Sequence, residues 1–166
     1  MSKQPLNYAI GTCSLGSLLI AHGPQGISAL FLGADRSELQ NRFPNALLQN
    51  APTQLEKLLH EIIQYIENPS PPFSIPLDEK GTDFQRRVWK ALRAIPLGST
   101  STYSAIAQQI GSPKSARAVA QACAANPIAI LTPCHRVIRA DGSLSGYRWG
   151  IDLKKKLLQQ EALIKK

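Results

Sequence analysis

The sequence has few cysteines, no long apolar run and, across its second half, almost no negative charge. Its three cysteines, Cys13, Cys123 and Cys134, stand far apart with no Cys-x-x-Cys pair. An odd, widely spaced set excludes a disulfide framework and favours a reducing compartment. No apolar run approaches the ~20 residues that cross a bilayer, and the N-terminus has no signal-type apolar stretch. We therefore expect a cytoplasmic protein with no membrane partner.

Carboxylates are absent from residues 84–140, a stretch that contains eight Arg and Lys. Five basic and eight acidic residues leave residues 1–83 at −3, whereas fourteen basic and three acidic residues leave residues 84–166 at +11. With 43% hydrophobic and 18% charged residues the chain is globular rather than disordered. So long and one-sided a basic block favours contact with a polyanion such as nucleic acid. A solvated basic face without a partner is the alternative.

Prolines and the change in charge divide the chain near residue 78, into an N-terminal domain (1–78) and a C-terminal domain (79–166). A linker is predicted because four prolines in eight residues cannot continue a helix. They are Pro69, Pro71, Pro72 and Pro76. Before them, short runs at 7–12, 17–22 and 27–32, separated by glycine-containing turns, predict an antiparallel meander.

Two helices are predicted from periodicity and capping. The first begins near Thr53, and its apolar residues recur with the helical period. They are Leu55, Leu58, Leu59, Ile62, Ile63 and Ile66. The second begins at Thr82, because Thr82 and Gln85 form a capping-box pattern.

Two short helices around Gly111 predict a helix-turn-helix within the basic half. The first covers residues 103–110. Ser112 is predicted to be the N-cap of the second, which runs to about residue 125 with Pro113 in its first turn.

The second of these helices is rich in alanine, and its only long polar side chains are Lys114, Arg117 and Gln121. So bare a helix cannot read many bases, but it can approach a nucleic-acid backbone closely. Tight helix packing explains the alanines equally well. If the helix binds DNA, we expect little sequence preference.

A thiol, an imidazole and a guanidinium follow the apolar run 128–131, as Cys134, His135 and Arg136. A basic or cationic neighbour raises the thiolate fraction of a cysteine, and a positioned histidine can act as its base. A core cysteine beside a surface histidine would give the same dipeptide.

A carboxylate favours the chemical interpretation. The last helix is predicted to have Asp152 as its N-cap and an apolar arc formed by Leu153, Leu157, Leu158 and Ile164. Glu161 falls inside that arc, where a carboxylate needs a partner, and His135 is available. Lys154 and Lys165 also fall near the arc, and we expect both to extend to solvent. Cys–His–Glu would then supply nucleophile, base and orienting group.

The segment that joins these groups contains Asp141-Gly142, which predicts a β-hairpin. The hairpin would place Ser143, Ser145, Tyr147 and Trp149 on one arm and a loop beside the cysteine. The remaining cysteines are assigned to a helix core (Cys123) and a strand (Cys13). A zinc site formed by Cys13, His22 and His60 is not expected, because these residues lack any known ligand spacing.

Several motifs resemble those of the O6-alkylguanine-DNA alkyltransferases, also called methylated-DNA–protein-cysteine methyltransferases. In chain order they are Ile95-Pro96-x-Gly98, Thr102-Tyr103-Ser104-Ala105-Ile106-Ala107, Arg117-Ala118-Val119, Asn126-Pro127 and Pro133-Cys134-His135-Arg136-Val137. The run 145–150 is most similar to the C-terminal domain of the bacterial adaptive-response protein Ada. No counterpart of Ada's zinc-binding N-terminal domain is seen, so a role in activating transcription is not expected.

The resemblance implies a fold and a set of site residues. The fold would be a ribonuclease-H-like α/β domain, with an antiparallel sheet and a helix, followed by a mostly α winged helix-turn-helix-like domain. The catalytic residues would be Cys134 as alkyl acceptor, His135 as base through a bridging water, Glu161 as its orienting group, Asn126 around the cysteine turn and Tyr103 as proton donor. Arg117 would take the place of the flipped nucleotide in the base stack. The other residues in contact with DNA would be Tyr103, Ala116, Lys114, Gln121 and Arg136. The pocket would be lined by Pro133, Val137, Ser145, Tyr147 and Trp149.

The implied activity is a single, irreversible transfer of an alkyl group to Cys134. The substrate would be duplex DNA containing O6-alkylguanine or O4-alkylthymine, bound through the minor groove by a monomer without cofactor. The zinc of some members is not expected, because Gly23 and Ser28 stand at its ligand positions. Trp149 stands where some members have Gly, and Ala129 where some have Pro. We therefore expect a narrower pocket that accepts methyl transfer but reacts poorly with benzylguanine.

Two other functions compete with alkyl transfer. One is a non-catalytic DNA-damage binder or helix-turn-helix regulator, against which the presence of Cys134 argues. The other is a cysteine hydrolase using the Cys–His–Glu set, to which the basic half would contribute nothing.

Overall fold

The structure, a computed structural model, describes residues 4–33, 35–70 and 74–164. They form two compact units, Met1–Glu79 and Lys80–Lys166. The division into an N-terminal domain at 1–78 and a C-terminal domain at 79–166 stays a prediction. Within the described ranges no helix has both the length and the apolarity to span a bilayer. Two linker prolines, Pro71 and Pro72, and the C-terminal Lys165 lie outside the described residues.

The N-terminal unit is a four-stranded sheet with two helices. Three strands form the predicted antiparallel meander, and a fourth strand, which the sequence analysis missed, pairs in parallel with the first. The strand order is β3-β2-β1-β4. The elements are β1 Gln4–Cys13, β2 Gly16–Gly23, β3 Gly26–Leu32, α1 Arg36–Arg42, β4 Ala46–Asn50 and α2 Pro52–Glu67.

Helix α2 covers one face of this sheet, as its periodicity predicts. Leu55, Ile62 and Ile66 are buried on the helix. The helix packs on β1 at Gly11, where an added Cβ would lie 2.9 Å from a methyl carbon of Leu59. The Leu59 side chain fits there because Gly11 has no side chain.

The last residues of the predicted linker, 76–78, are hydrogen-bonded to the N-terminal sheet. The Ile27 amide donates to the Pro76 carbonyl at 3.0 Å, and the Asp78 amide donates to the Ile27 carbonyl at 2.7 Å. Residues 76–78 therefore extend the outer edge of β3. Proline has no amide hydrogen, but its carbonyl accepts normally, so it is tolerated at an edge.

The C-terminal unit is mostly helical and has its own core. Trp89 is fully buried there, and its indole N–H donates to the Ala122 carbonyl at 2.9 Å. The predicted capping box of Thr82 and Gln85 is confirmed. The elements are α3 Asp83–Arg93, β5 Ser101–Thr102, α4 Tyr103–Gln109, α5 Ala116–Ala124, a 3₁₀ turn at Cys134–Arg136, β6 Val137–Ile138 and α6 Ile151–Ile164.

The helix pair α4 and α5 is confirmed, but α5 begins later than predicted. The Ser112 amide donates to the Ala107 carbonyl at 2.8 Å and so ends α4 instead of starting α5. A further turn, closed by the Ser115 amide on the Ser112 carbonyl at 2.9 Å, precedes Ala116. Pro113 lies in this turn, and the predicted N-cap at Ser112 is wrong.

The predicted hairpin is only a turn. The Arg139 amide donates to the Ser143 carbonyl at 3.1 Å, and Gly142 has φ +86°. The strand before the turn, β6, pairs in parallel with β5, and among the described residues no strand lies between the turn and α6.

The start and end of α6 also differ from the prediction. The helix begins at Ile151, which places Asp152 in its first turn instead of at the N-cap. At the other end Ile164 is 38% exposed and lies outside the buried face.

The docking of residues 76–78 gives a test of the first unit. Gly16 and Gly26 have φ values of +109° and +138°, so alanine at either position incurs backbone strain of about 1–3 kcal/mol. An added Cβ meets nothing within 4 Å at Gly16 but lies 2.5 Å from the Pro76 carbonyl oxygen at Gly26. We expect Gly26→Ala to lower the free energy of unfolding by about 1–2 kcal/mol more than Gly16→Ala, because the clash adds to the strain. Urea denaturation measures both, and equal losses would contradict the docked edge.

Candidate active site

The Cys134 thiol is held in place by one buried amide. Asn126 is fully buried, and its Nδ2 donates to the Thr132 carbonyl at 2.8 Å and to the Cys134 Sγ at 3.3 Å. Its Oδ1 accepts from the Ile128 amide at 2.9 Å. One side chain therefore closes the turn from both ends and directs a hydrogen at the sulfur.

The turn that Asn126 closes includes a strained residue. Ile130 has φ +69°, in the left-handed region that a β-branched residue rarely adopts. Such a conformation costs about 1–3 kcal/mol and persists only where the surroundings enforce it. Here the hydrogen bonds of Asn126 to Ile128 and Thr132 lie on either side of it.

A buried carboxylate joins the 3₁₀ turn to α6. The Glu161 Oε2 lies 2.7 Å from the His135 Nε2. The Arg136 guanidinium donates to both Glu161 oxygens, from Nε at 2.8 Å and from Nη2 at 3.1 Å, and from Nη1 to the Ile95 carbonyl at 2.9 Å. At most 5% of each of the three residues is exposed. The predicted pairing of His135 with Glu161 is present.

The charges of this group determine which nitrogen of His135 is basic. Burial opposes ionisation of Glu161, but hydrogen bonds from His135 and Arg136 outweigh it and lower its pKa to about 2. Burial also lowers the pKa of His135, against the pull of Glu161. At neutral pH the imidazole is therefore uncharged and donates its Nε2 hydrogen to Glu161. The lone pair is left on Nδ1, which is buried and makes no hydrogen bond with the described residues.

The thiol itself is protonated at rest. Burial raises the pKa of Cys134, and the hydrogen bond from Asn126 and the positive charge of Lys154 oppose that rise only in part. Because the thiolate is the nucleophile, Cys134 needs a base at the moment of reaction.

Cys134 forms part of the wall of a cavity of about 520 Å³. In it the Tyr103 hydroxyl makes a short hydrogen bond with the Ser145 hydroxyl. The lining residues are Tyr103, Ala120, Cys123, Ala124, Cys134, Arg139, Ser145, Gly146, Tyr147 and Arg148.

Two of the five predicted pocket residues, Ser145 and Tyr147, line this cavity. Pro133 and Val137 are buried and do not line it. Trp149 packs edge-on against Tyr147, with ring centroids 5.3 Å apart, and is not part of the wall. The sequence predicted that Trp149 and Ala129 would narrow the pocket. Neither residue lines this cavity, so neither narrows it by direct contact.

The residues predicted to contact DNA divide into two groups. Arg117 and Gln121 on α5 and Lys114 before it are exposed, and Ala116 is half-buried. Arg136 is 5% exposed and fully engaged with Glu161 and Ile95. The prediction that it contacts DNA is wrong, because its guanidinium is committed to a buried ion pair.

Lys154 is the site residue that the sequence analysis misplaced. It is 1% exposed and does not extend to solvent, since its Nζ donates to the Ser145 Oγ at 3.1 Å. Its spacing of seven residues from Glu161, with Leu157 between them, puts all three on one helix face. That spacing was the available signal, but a lysine near a helix end is normally exposed.

The described part of the chain has no group of three His, Cys, Asp or Glu residues placed to hold a metal ion. His60 is exposed, and Cys13 ends a strand. Cys123 is in the core, as predicted, but also lines the cavity.

The buried carboxylate is open to a stability test. Glu161→Gln leaves the Arg136 guanidinium buried without a counter-charge, a change that costs about 3–5 kcal/mol in other proteins. We expect a loss of that size in urea denaturation. Lys155→Gln, at an exposed position of the same helix, should change stability by less than about 0.5 kcal/mol. Equal effects of the two substitutions would show that Arg136 does not depend on Glu161.

Comparison with known families matches both units. Residues 6–79 match the ribonuclease-like domain of 6-O-methylguanine DNA methyltransferase, and residues 83–163 match its DNA binding domain. The N-terminal fold is thus ribonuclease-like, and the C-terminal fold is that of the DNA-binding domain.

Curated relatives and solved structures agree with these matches. The chain is 49% identical to the bifunctional transcriptional activator/DNA repair enzyme Ada of Escherichia coli, over 95% of this chain but only 46% of Ada. It therefore spans about half the length of that relative. It is 41% identical to the inducible methylated-DNA–protein-cysteine methyltransferase of Bacillus subtilis, over 93% of this chain and 84% of the relative. A crystal structure of Mycobacterium tuberculosis OGT in complex with DNA superposes with a TM-score of 0.83 at 38% identity, covering 95% of this chain and 93% of the other.

The two units match the two domain models in order, and the Bacillus subtilis relative, 41% identical, is matched over 84% of its own length. The chain belongs to the 6-O-methylguanine DNA methyltransferase family.

Proposed function

We propose that this protein repairs alkylated DNA by direct reversal, transferring the alkyl group of O6-alkylguanine, or of O4-alkylthymine, to its own Cys134. The observation that carries the proposal is a buried thiol in the wall of a cavity of about 520 Å³, with the His135–Glu161 pair at 2.7 Å beside it. A flipped base needs such a space, and an alkyl carbon needs such a nucleophile. The names of the relatives, methylated-DNA–protein-cysteine methyltransferases, support the same reaction.

In this mechanism His135 is the base. Its Nδ1 lone pair takes the Cys134 proton through a water molecule, and Glu161 stabilises the imidazolium that forms. Asn126 donates to the sulfur as it becomes negative. The low-dielectric surroundings that raise the pKa of the thiol also strengthen this hydrogen bond.

The thiolate displaces the base from the alkyl carbon. A carbon–sulfur bond forms, the bond between carbon and O6 breaks with its electron pair moving to the base, and Tyr103 supplies a proton to the departing guanine. The resulting thioether has no easy route back to a thiol, so each molecule acts once. No step in this scheme uses a cofactor.

DNA is bound by the exposed basic side of the C-terminal unit. An alkylated oxygen in the duplex cannot meet a buried thiol, so the nucleotide must be flipped out. Arg117 is exposed on α5 and would fill the gap in the base stack, while Lys114 and Gln121 contact the backbone. The alanine-rich surface of α5 allows close approach in the minor groove without sequence preference. DNA binding and nucleotide flipping of this kind require one copy of the chain, so the proposed form is a monomer in the cytoplasm.

Intact-mass measurement after incubation with duplex DNA containing O6-methylguanine tests the reaction. We expect the gain of one methyl group on the Cys134 peptide and none in Cys134→Ala. Cys123→Ala is the matched control, because Cys123 lines the same cavity, and it should still be methylated.

The rival functions predict different outcomes. A protein that bound the DNA and stayed unmodified would be a damage binder, and turnover of an ester or peptide by the Cys–His–Glu set would indicate a hydrolase.

Arg117→Ala tests base flipping separately from chemistry. Without the side chain that fills the stack, extrusion loses a contribution of a few kcal/mol, so we expect single-turnover repair of duplex DNA to slow by about 10²-fold. Reaction with free O6-methylguanine base should keep its rate, because nothing has to be flipped. Lys114→Ala should instead reduce the salt slope of DNA binding by about one. Equal slowing of the base and duplex reactions by Arg117→Ala would contradict the assignment.

A further inference from the structure

Lys154 is a buried cation for which the mechanism above gives no role. It is 1% exposed, and its Nζ donates to the Ser145 Oγ at 3.1 Å. Burying an ammonium group is costly unless it is well paired, and among the described residues the Lys154 Nζ donates to a neutral hydroxyl and not to a carboxylate. Because burying Lys154 is costly, we expect it to have a role at the cavity that Ser145 lines.

The hydrogen bond between Lys154 and Ser145 has a fixed direction, whereas either hydroxyl can donate in the one between Ser145 and Tyr103. An ammonium group has three donors and no acceptor, so the Ser145 Oγ must accept from Lys154. The single Ser145 hydrogen is then free to donate to the Tyr103 oxygen, with which it makes a short contact. A tyrosine oxygen that accepts from Ser145 directs its own hydrogen elsewhere, and Tyr103 lines the cavity beside Cys134.

We propose that Lys154 is a positioning residue that acts through Ser145 to direct the Tyr103 hydroxyl hydrogen into the cavity, toward the departing base. The proposal rests on the alkyl-transfer function argued above, in which Tyr103 protonates the guanine. Without Lys154 the Ser145–Tyr103 pair can reverse, and Tyr103 then donates to Ser145 and is lost as a proton donor. Burial raises the pKa of Tyr103, against the effect of its bond to Ser145, so the phenol is protonated and ready to donate.

A second effect of Lys154 has to be separated from this one. Its positive charge acts on Cys134 and opposes the rise in the pKa of that thiol. If Lys154 served only the thiolate, its removal would slow every alkylation of Cys134. If it orients Tyr103, its removal slows only reactions whose leaving group needs a proton.

The experiment compares two methyl donors across a double-mutant cycle. Lys154→Met, Ser145→Ala and the double variant react with duplex DNA containing O6-methylguanine and, separately, with methyl iodide, whose leaving iodide needs no proton. Lys155→Met, an exposed lysine of the same helix, is the matched control. Circular dichroism and urea denaturation report whether each variant is folded, and Ser145→Ala tests the same chain if Lys154→Met does not fold.

We expect Lys154→Met and Ser145→Ala each to slow methyl transfer from DNA by about 10-fold or more, up to the ~10²–10⁴-fold that a general acid contributes. Methyl iodide should alkylate Cys134 at the wild-type rate in both. The double variant should be no slower than either single variant, because both break one chain.

Other outcomes overturn the proposal. If Lys154→Met slows the reactions with both methyl donors, Lys154 acts on the Cys134 thiolate. If the losses of rate in the two single variants add in the double variant, Lys154 does not act through Ser145. If Lys154→Met reacts with DNA at the wild-type rate, Lys154 has no role in the reaction. These results overturn the positioning role alone. A wild-type protein that takes methyl from methyl iodide but not from DNA overturns the proposed function as well.

Discussion

The candidate site depends on the Glu161 carboxylate, which is buried and accepts hydrogen bonds from two adjacent residues of another element. His135 and Arg136 both reach it from the 3₁₀ turn, at 2.7 and 2.8 Å. One carboxylate thereby orients the His135 ring, neutralises the buried Arg136 guanidinium and fixes the 3₁₀ turn against α6. Burying any one of the three alone would be strongly unfavourable, so the geometry is held as a unit.

Asn126 fixes the segment that precedes Cys134 in the chain. Its amide satisfies the backbone of a turn that contains a strained Ile130 and at the same time donates to the Cys134 Sγ. Strain of this kind persists where surrounding contacts enforce it, often next to reactive groups. The sulfur is thus fixed by hydrogen bonds from one direction and by the buried 3₁₀ turn from the other.

The positive charge of the second half has more than one function. Arg117 and Lys114 are exposed and available to a polyanion, whereas Arg136 and Lys154 are buried within the site. A net charge of +11 over residues 84–166 therefore overstates the charge presented to a partner. It also includes two cations that are buried and therefore not presented to a partner.

Features that depend on residues close together in the chain could be predicted from the sequence. The capping box at Thr82, the face of α2 and the inward direction of Glu161 each follow from spacing along one helix. Tertiary structure alone decided which cations are buried, since a lysine near a helix end such as Lys154 is normally exposed and the partners of Arg136 lie far along the chain. It also decided that residues 76–78 join β3, that α5 starts at Ala116 and that Trp149 lies behind Tyr147. These outcomes depend on contacts between residues distant in the sequence, and a hydrogen-bond partner 41 residues away, as for Arg136 and Ile95, leaves no trace in local periodicity.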